Sequence, residues 1–325
     1  MKRFILFIAA CSVLVLGVNS VHGQKEYPER AIELVVPWAA GGSSDTTGRI
    51  FSNELGKVLK VPVTVLNKPG GGSVIGMTHV HNAKKDGYTL LLGSPGNLIA
   101  ATLVEGIPFN FRKDFVPLTV IASNPYVIFV RSDSPFRTLE DLIDKAKKNP
   151  RSVSSGTTVN SDTWFNQKIL EKAAGVEFNS VPLKGGSEGP PAILGGHIDV
   201  SIGILTASLP FARAGQIRFL ASTGATRLKE FPDVPTLKEK GFTQTFIDGN
   251  WNGLFVPRGT PSHAIDALIA ASEKVRQSEG LAVTLEKVGN FIDAVSTAEF
   301  RKRVEGEATV IESIAKDLGL KGKKR

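Results

Sequence analysis

The sequence has very little cysteine: one residue, Cys11, among 325. Cys11 lies inside an apolar N-terminal run, and a chain that loses this run carries no thiol. Disulfide bonds and thiolate metal sites are then excluded. Histidine is also scarce, and His79 and His81 lie two positions apart on a predicted helix, where their side chains point in different directions. The sequence therefore predicts no metal site, and it indicates no cofactor.

Motifs for nucleotide-dependent chemistry are absent as well. There is no Walker lysine motif and no Gly-x-Gly-x-x-Gly fingerprint. Asp45 and Asp162 are candidate general bases, but each falls in the first turn of a predicted helix, where an acid more often caps the helix or interacts with its dipole. We expect a protein that is not an enzyme. An exported hydrolase that uses Asp45 or Asp162 is the less favoured alternative.

Long hydrophobic runs are missing except at the start of the chain. Met1-Lys2-Arg3 is cationic, Phe4 to Val18 is almost wholly apolar, and Val21 and Gly23 suit positions −3 and −1 of a cleavage site. The apolar run has roughly 15 residues, fewer than the ~20 that span a bilayer. We expect residues 1–23 to be a secretory signal peptide and the mature protein to be soluble and periplasmic.

A second interpretation of the N-terminal segment is lipidation. Ile8-Ala9-Ala10-Cys11 resembles a lipoprotein cleavage box. However, the apolar run continues past Cys11, and the part of the run that precedes it is very short. Lipoprotein anchoring is therefore disfavoured.

The formal net charge is +8, from 39 Lys and Arg residues against 31 Asp and Glu residues. The basic residues are scattered, and their one cluster is the tail from Lys321 to Arg325, which is best explained as a solvated segment. With no basic stretch interleaved with aromatic residues, nucleic-acid binding is disfavoured. A basic protein outside the membrane attracts small anions instead.

From Ile32 onward, strand patterns alternate with helix patterns, and the turns between them are rich in glycine, serine and threonine. This alternation predicts an α/β fold with parallel or mixed sheets. It includes a helix for which Thr138 is the predicted N-cap and a final helix from about Thr297 to Asp317. In such folds, ligands bind outside the carboxyl ends of the strands, where helix N-termini offer N–H groups to an anion. Any one of these turns can be an ordinary connection, but several that converge on one edge favour a binding crevice.

Six ordered segments of the chain resemble those of a known family. They are "YPERAIELVVPWAAGGSSDTTGRIF", "VPVTVLNKPGGGSVIG", "DGYTLLLGSPG", "VPLKGGSEGPPAILGGHIDV", "PDVPTLKEKGF" and "WNGLFVPRGTP". This set resembles the solute receptors of tripartite tricarboxylate transporters, the TctC or Bug type, over essentially the whole mature chain. The resemblance implies a two-lobe periplasmic binding protein that closes on a small carboxylate, uses no cofactor and catalyses no reaction.

The resemblance and the glycine-rich turns together indicate candidate binding residues. They occupy the first strand–helix turn, the loop after the third strand, a Ser/Gly/Thr turn and a Lys-Gly-Gly turn. Two further candidates are Gly203 and Trp251, and Trp251 can instead belong to the core. The candidates are Pro37, Trp38, Ala39, Ala40, Gly41, Gly42, Ser43, Ser44, Asp45, Ser94, Pro95, Gly96, Asn97, Ser155, Gly156, Thr157, Thr158, Ser161, Asp162, Lys184, Gly185, Gly186, Gly203 and Trp251.

Two departures from the family pattern bear on the ligand. Relatives usually have a run that ends in a histidine or another polar group where this chain has "GTTVNSD", with Val159 and Asp162. Relatives also often have Asp or Asn after the "HIDV" strand, where this chain has Gly203. The loss of a side chain at this position would enlarge the pocket or remove a contact. Ligands of relatives are therefore not transferred to this chain.

The expected organisation is a first lobe of residues 24–124 with 248–325 and a second lobe of residues 125–247. We expect hinges near Asn124 and near Gly249. The resemblance implies the membrane permease subunits of a tripartite transporter as partners, driven by an ion gradient, and we expect the receptor itself to be a monomer. The alternative is an orphan receptor of the same fold that signals to a sensor protein.

Overall fold

The structure is a computed structural model that describes residues 27–104, 106–183, 188–224, 226–243 and 245–320. The predicted signal peptide lies outside the described residues, as do Lys184, Gly185 and Gly186 of the predicted Lys-Gly-Gly turn. The described strands form two mixed sheets with helices packed around them, which confirms the predicted α/β fold with parallel or mixed sheets. Of the helices in these ranges, none has the combination of length and apolar character that a bilayer-spanning segment needs.

The first sheet, sheet A, has six strands. Their spatial order is β11 (Phe291–Ile292), β4 (Phe115–Ser123), β10 (Asn252–Pro257), β3 (Thr89–Gly93), β1 (Ile32–Val36) and β2 (Val63–Asn67). Strand β1 runs parallel to β2 and β3, whereas β10 lies between β3 and β4 and is antiparallel to both. The helices on this side of the molecule are α1 (Ser43–Leu59), α2 (Val74–His81), α3 (Pro95–Leu103), α4 (Phe111–Asp114), α9 (Ser262–Arg276), α10 (Glu279–Lys287) and α11 (Thr297–Asp317).

The second sheet, sheet B, has five strands. Their order is β7 (Asn179–Pro182), β6 (Ser154–Thr157), β8 (Val200–Ile204), β5 (Tyr126–Arg131) and β9 (Ile217–Ser222). Strand β6 is parallel to β7 and β8, and β5 is antiparallel to β8 and β9. Its helices are α5 (Leu139–Lys148), α6 (Asp162–Ala174), α7 (Gly189–Leu194) and α8 (Leu205–Arg213).

Local sequence explains where several helices begin. The predicted N-cap of α5, Thr138, accepts the N–H of Asp141 at 3.2 Å, and Asp141 Oδ2 accepts the N–H of Thr138 at 2.9 Å. Ser296 and Glu299 form the same reciprocal pair at the start of α11. These capping boxes satisfy N–H groups that have no partner within the helix. The bounds predicted for the last helix, Thr297 to Asp317, are those observed.

The chain passes between the two sheets at two places, after β4 and before β10. At the first, Asn124 Nδ2 donates to Thr206 Oγ1 at 2.9 Å and to the carbonyl oxygen of Gly289 at 2.8 Å. At the second, Gly249 has a φ of +87°, and a Cβ on it would lie 2.9 Å from the carbonyl oxygen of Asn124. The two passages therefore touch each other, and glycine is required where they meet.

Some elements were not anticipated from the alternating pattern, although mixed sheets are part of the predicted fold class. Helix α10 and the two-residue strand β11 had no predicted counterpart. The antiparallel placement of β10 and β5 makes both sheets mixed, so the carboxyl ends of the strands do not all lie at one edge. The direction of β10 is set by the return of the chain from sheet B, which local periodicity does not encode.

Candidate functional site

A cleft of about 1280 Å³ lies between loops and helix starts on the sheet A side and residues 158–162 on the sheet B side. Its walls come from the starts of α1, α3 and α6, from a glycine turn and from an apolar face that includes the end of α3. The lining residues are Trp38, Gly42, Ser43, Ser44, Gly71, Gly72, Ser94, Gly96, Ile99, Ala100, Leu103, Val104, Gly106, Thr158, Val159, Asn160, Ser161, Asp162, Asn250 and Leu320. Of these described lining residues, none is lysine or arginine.

The N-terminus of α1 faces the cleft without a side-chain cap. Its N-cap is Gly42, and the first helical N–H paired within the chain is that of Thr46, which donates to the Gly42 carbonyl oxygen at 2.9 Å. Among the described residues, the N–H groups of Ser43 and Ser44 have no hydrogen-bond acceptor. Such a terminus carries a partial positive charge of roughly half a unit and suits an anion.

Asp45 supports this turn from behind. It is 3% exposed, and its Oδ2 accepts the N–H of Gly41 at 2.9 Å and Arg49 Nε at 3.0 Å, while its Oδ1 accepts Asn67 Nδ2 at 2.9 Å. Burial alone would raise the pKa of Asp45, but these hydrogen bonds and the Arg49 charge hold it below its usual value. Asp45 is therefore an ion-paired structural residue, and its geometry does not suit a general base.

The start of α3 forms the neighbouring wall. Asn97 is fully buried, and its Oδ1 accepts the N–H of Ser94 at 2.6 Å and the Ser94 hydroxyl at 3.3 Å. Gly96 lies next to the indole of Trp38: a Cβ on Gly96 would be 3.0 Å from Trp38 Cζ2. A glycine at this position allows the Trp38 ring to approach the start of the helix closely.

The start of α6, on the sheet B side, is built differently. The Ser161 hydroxyl accepts the N–H of Trp164 at 3.4 Å, and Asp162 Oδ1 accepts the N–H of Thr163 at 2.9 Å. The fully buried Tyr126 donates its hydroxyl to Asp162 Oδ2. Burial raises the pKa of Asp162 despite these hydrogen bonds, and burial together with the Asp162 carboxylate raises the pKa of Tyr126.

The structure brings part of the predicted set together at the cleft. Those that line it are Trp38, Gly42, Ser43, Ser44, Ser94, Gly96, Thr158, Ser161 and Asp162. The others described lie behind this surface or beside it and are absent from the lining: Pro37, Ala39, Ala40, Gly41, Asp45, Pro95, Asn97, Ser155, Gly156, Thr157, Gly203 and Trp251. Only some residues of each described predicted loop therefore contribute to the surface of the cleft.

Packing explains why three of the predicted residues do not line the cleft. Ser155 is fully buried in β6 and donates to Gln167 Oε1 at 2.9 Å. Gly203 lies in the interior of β8, where a Cβ would come within 3.0 Å of Phe129 Cε1, so the missing side chain gives room to the Phe129 ring rather than to the pocket. Trp251 is fully buried in the core and does not form a pocket wall.

Sequence reasoning missed the apolar wall of the cleft. Ile99, Ala100, Leu103, Val104 and Leu320 form this wall. The first three lie at spacings of one, three and four positions along α3, the pattern of one helix face. That periodicity was visible in the sequence, but it predicts a buried helix face equally well. Leu320 follows α11, and no signal in the sequence indicates that it lies next to α3.

Comparison with known proteins identifies the family. The model of the tripartite tricarboxylate transporter family receptor, TctC, matches residues 48–320. The chain belongs to this family. A curated relative of this TctC-family chain, the UPF0065 protein in the tcbD-tcbE intergenic region of Pseudomonas sp. strain P51, is 30% identical over 285 residues, or 87% of this chain and 85% of the relative.

Three solved structures are similar to this chain over nearly their whole length. A TctC solute-binding protein from Polaromonas, solved without ligand, has a TM-score of 0.83 at 29% identity and covers 90% of this chain and 99% of its own. Rpa4515 of Rhodopseudomonas palustris with adipate has a TM-score of 0.69 at 28% identity, covering 90% and 98%. MatC of the same species with bound malate has a TM-score of 0.67 at 26% identity, covering 89% and 99%.

Membership in this family makes the chain a substrate-binding receptor. The described residues contain no group of three or more His, Cys, Asp or Glu side chains arranged to hold a metal ion. His79 and His81 have separate surroundings: His79 Nε2 lies 3.1 Å from Glu33 Oε1, and the His81 ring packs against Phe109.

Proposed function

We propose that this TctC-family receptor binds a small organic carboxylate in the cleft and delivers it, in the periplasm, to the membrane permease subunits of a tripartite transporter. The N-terminus of α1 carries the proposal. Its glycine N-cap leaves the N–H groups of Ser43 and Ser44 open toward the cleft, and the Asp45 charge behind them is compensated by Arg49. A ligand carboxylate is an acceptor that matches these donors.

The ligands of the two R. palustris proteins support the same chemical class. Adipate and malate are both carboxylates, and both proteins are similar to this chain along almost all of its length. Both ligands are dicarboxylates, so the carboxylate groups are what they share, whereas the carbon chain between those groups differs. We therefore propose for this chain only that its ligand carries a carboxylate group.

We propose that the cleft closes on its ligand because its lining residues come from two lobes. We propose lobes of residues 24–124 with 248–325 and of 125–247, which agrees with the strands that each sheet contains. Residues of the first lobe hold the carboxylate, and Thr158, Ser161 and Asp162 of the second lobe complete the site. A ligand that contacts both lobes stabilises the closed arrangement.

The first experiment is a thermal-shift screen of the purified mature protein against mono-, di- and tricarboxylates, hydroxy acids, amino acids and aromatic acids. A ligand at 100 times its dissociation constant stabilises the folded state by about 2.7 kcal/mol, which is readily detected. Affinities of the ligands found are then measured by calorimetry. A panel in which no acid shifts the melting temperature contradicts the proposed function.

Two substitutions at the first helical position of α1 test the binding mode. Ser43→Pro removes one backbone N–H from the cleft, and proline suits this position because Gly42 already has an extended ψ of 170°. Ser43→Ala removes the hydroxyl and keeps the N–H. A hydrogen bond to a charged group contributes about 1.5–3 kcal/mol, so we expect Ser43→Pro to weaken binding at least about tenfold relative to Ser43→Ala. Equal affinities would contradict a role for this N–H.

A further inference from the structure

The two sides of the cleft differ in how well they suit a bound anion. The start of α1 presents uncapped N–H groups and no uncompensated charge. The start of α6 is capped by its own side chains: Ser161 accepts one first-turn N–H and Asp162 accepts another. The Asp162 carboxyl therefore already occupies the position at the start of α6 where a second carboxylate of the ligand would bind.

The Asp162 carboxyl has acceptor capacity left over. Its Oδ2 receives the Tyr126 hydroxyl and its Oδ1 receives the Thr163 N–H. A carboxylate offers about four lone-pair sites, so these two bonds leave each oxygen able to accept another donor. Asp162 itself is partly exposed and lines the cleft, which places this free capacity where a ligand lies.

Neighbouring polar atoms add to this acceptor-rich surface. Thr158 Oγ1 and Asn160 Oδ1 also belong to cleft-lining residues, and both atoms are buried without a hydrogen-bond partner among the described residues. A buried polar atom without a partner costs about 1–3 kcal/mol. Asn160 Oδ1 can only accept, so a ligand group that donates a hydrogen bond would satisfy it and a carboxylate would not, whereas the Thr158 hydroxyl can pair with either.

We propose that Asp162, held by Tyr126, selects ligands whose far end is a hydrogen-bond donor, so that this receptor prefers a hydroxy- or amino-carboxylate to the dicarboxylate of the same length. The inference rests on the proposed carboxylate-binding function, because it places the carboxylate of the ligand at α1. Asp162 is then a specificity-determining residue: it discriminates by repelling a second carboxylate and by accepting from a hydroxyl or ammonium group.

The test uses probes matched in length. Calorimetric affinities are measured at pH 8, which favours the ionised form of Asp162, for straight-chain acids of three to eight carbons in three forms: the plain monocarboxylate, the ω-hydroxy or ω-amino acid, and the dicarboxylate. The proteins are the wild type, Asp162→Asn, and Asp144→Asn. The last removes the same charge from the exposed face of α5, away from the cleft.

We expect the wild type to bind the best ω-hydroxy or ω-amino acid at least about tenfold more tightly than the dicarboxylate of equal length. Asp162→Asn keeps the shape of the side chain, removes its charge and replaces one acceptor oxygen with an NH₂ donor, so it should shift this ratio at least about tenfold toward the dicarboxylate. Asp144→Asn should keep the wild-type ratio. The inference is overturned if acids bind but the wild type shows no such preference, or if Asp162→Asn leaves the ratio unchanged. If no acid of any form binds the wild type, the proposed function fails and the inference falls with it.

Discussion

The indole Nε1 of Trp251 donates to Glu307 Oε2 at 2.9 Å, and both side chains are fully buried. Glu307 Oε1 accepts the N–H of Asp248 at 3.1 Å, so a carboxyl group of α11 holds the segment that enters β10. Burial raises the pKa of Glu307 to about 8 and that of Asp248 to about 6. A buried acid of this kind links the stability of the whole fold to pH.

The first prediction concerns that link. An unfolded glutamate titrates near 4.5, so between pH 4.5 and about 8 the folded chain holds a proton on Glu307 that the unfolded chain has lost. Stability from this group is therefore lost as pH rises through that window. From pH 6 to 8, the free energy of unfolding should fall by about 2 kcal/mol more in the wild type than in Glu307→Gln, by urea denaturation. Parallel profiles of the two proteins would contradict the assignment.

The second prediction compares a buried and an exposed ion pair. Arg303 is mostly buried and contacts Asp293 at 2.5 Å and Asp248 at 3.7 Å. Arg303→Met leaves these carboxylates unpaired and should cost about 3–5 kcal/mol of unfolding free energy. Lys172→Met, which breaks the exposed pair with Asp317, should change it by less than about 0.5 kcal/mol. Similar losses in the two variants would contradict this difference.

The third prediction concerns two glycines in different surroundings. A Cβ on Gly253, in β10, would lie 2.4 Å from Phe300 Cζ and 3.1 Å from the Thr119 carbonyl oxygen. Gly253→Ala should destabilise the protein by about 1–3 kcal/mol because the core must move. A Cβ on Gly280, in α10, meets nothing within 4 Å, so Gly280→Ala should stabilise by about 0.5–1 kcal/mol. Thermal unfolding of both variants measures the signs, and a stable Gly253→Ala protein would disprove the packing argument.

The fourth prediction uses the tryptophans. Trp38 lines the cleft and is partly exposed, whereas Trp164 and Trp251 belong to the buried core. Saturating acid ligand from the thermal-shift screen should change the fluorescence emission, because it displaces water from the Trp38 indole. Trp38→Phe should abolish most of this change and Trp164→Phe should keep it. A change that survives in Trp38→Phe would place the ligand away from this wall.

Local chemistry made much of the fold predictable. Thr138 and the bounds of α11 were identified from capping residues and apolar periodicity, because both depend on residues within one turn of each other. The direction of β10 could not be obtained in this way. It depends on where the chain returns after sheet B, and the same apolar run fits a strand of either direction.

The candidate site was predictable in its loops but not in its side chains. The turn before α1 was selected for its glycines and serines, and Ser43 and Ser44 do line the cleft. Asp45 and Asp162 looked alike in sequence, as acids in a first helical turn. Their difference arises from residues outside the turn: Arg49 and Asn67 bind the Asp45 carboxylate behind the cleft, whereas Tyr126, at the start of β5, donates to the Asp162 carboxyl, which lines the cleft.

The placement of β10 also constrains how the molecule folds. This strand lies in the middle of sheet A, yet it follows β4 by more than a hundred residues, with all of sheet B in between. Until β10 arrives, β3 and β4 have unpaired edges, which makes the N-terminal segment prone to aggregation when it is alone. Pairing across so long a loop is slow, and sheet A is completed only after the residues of sheet B have been made.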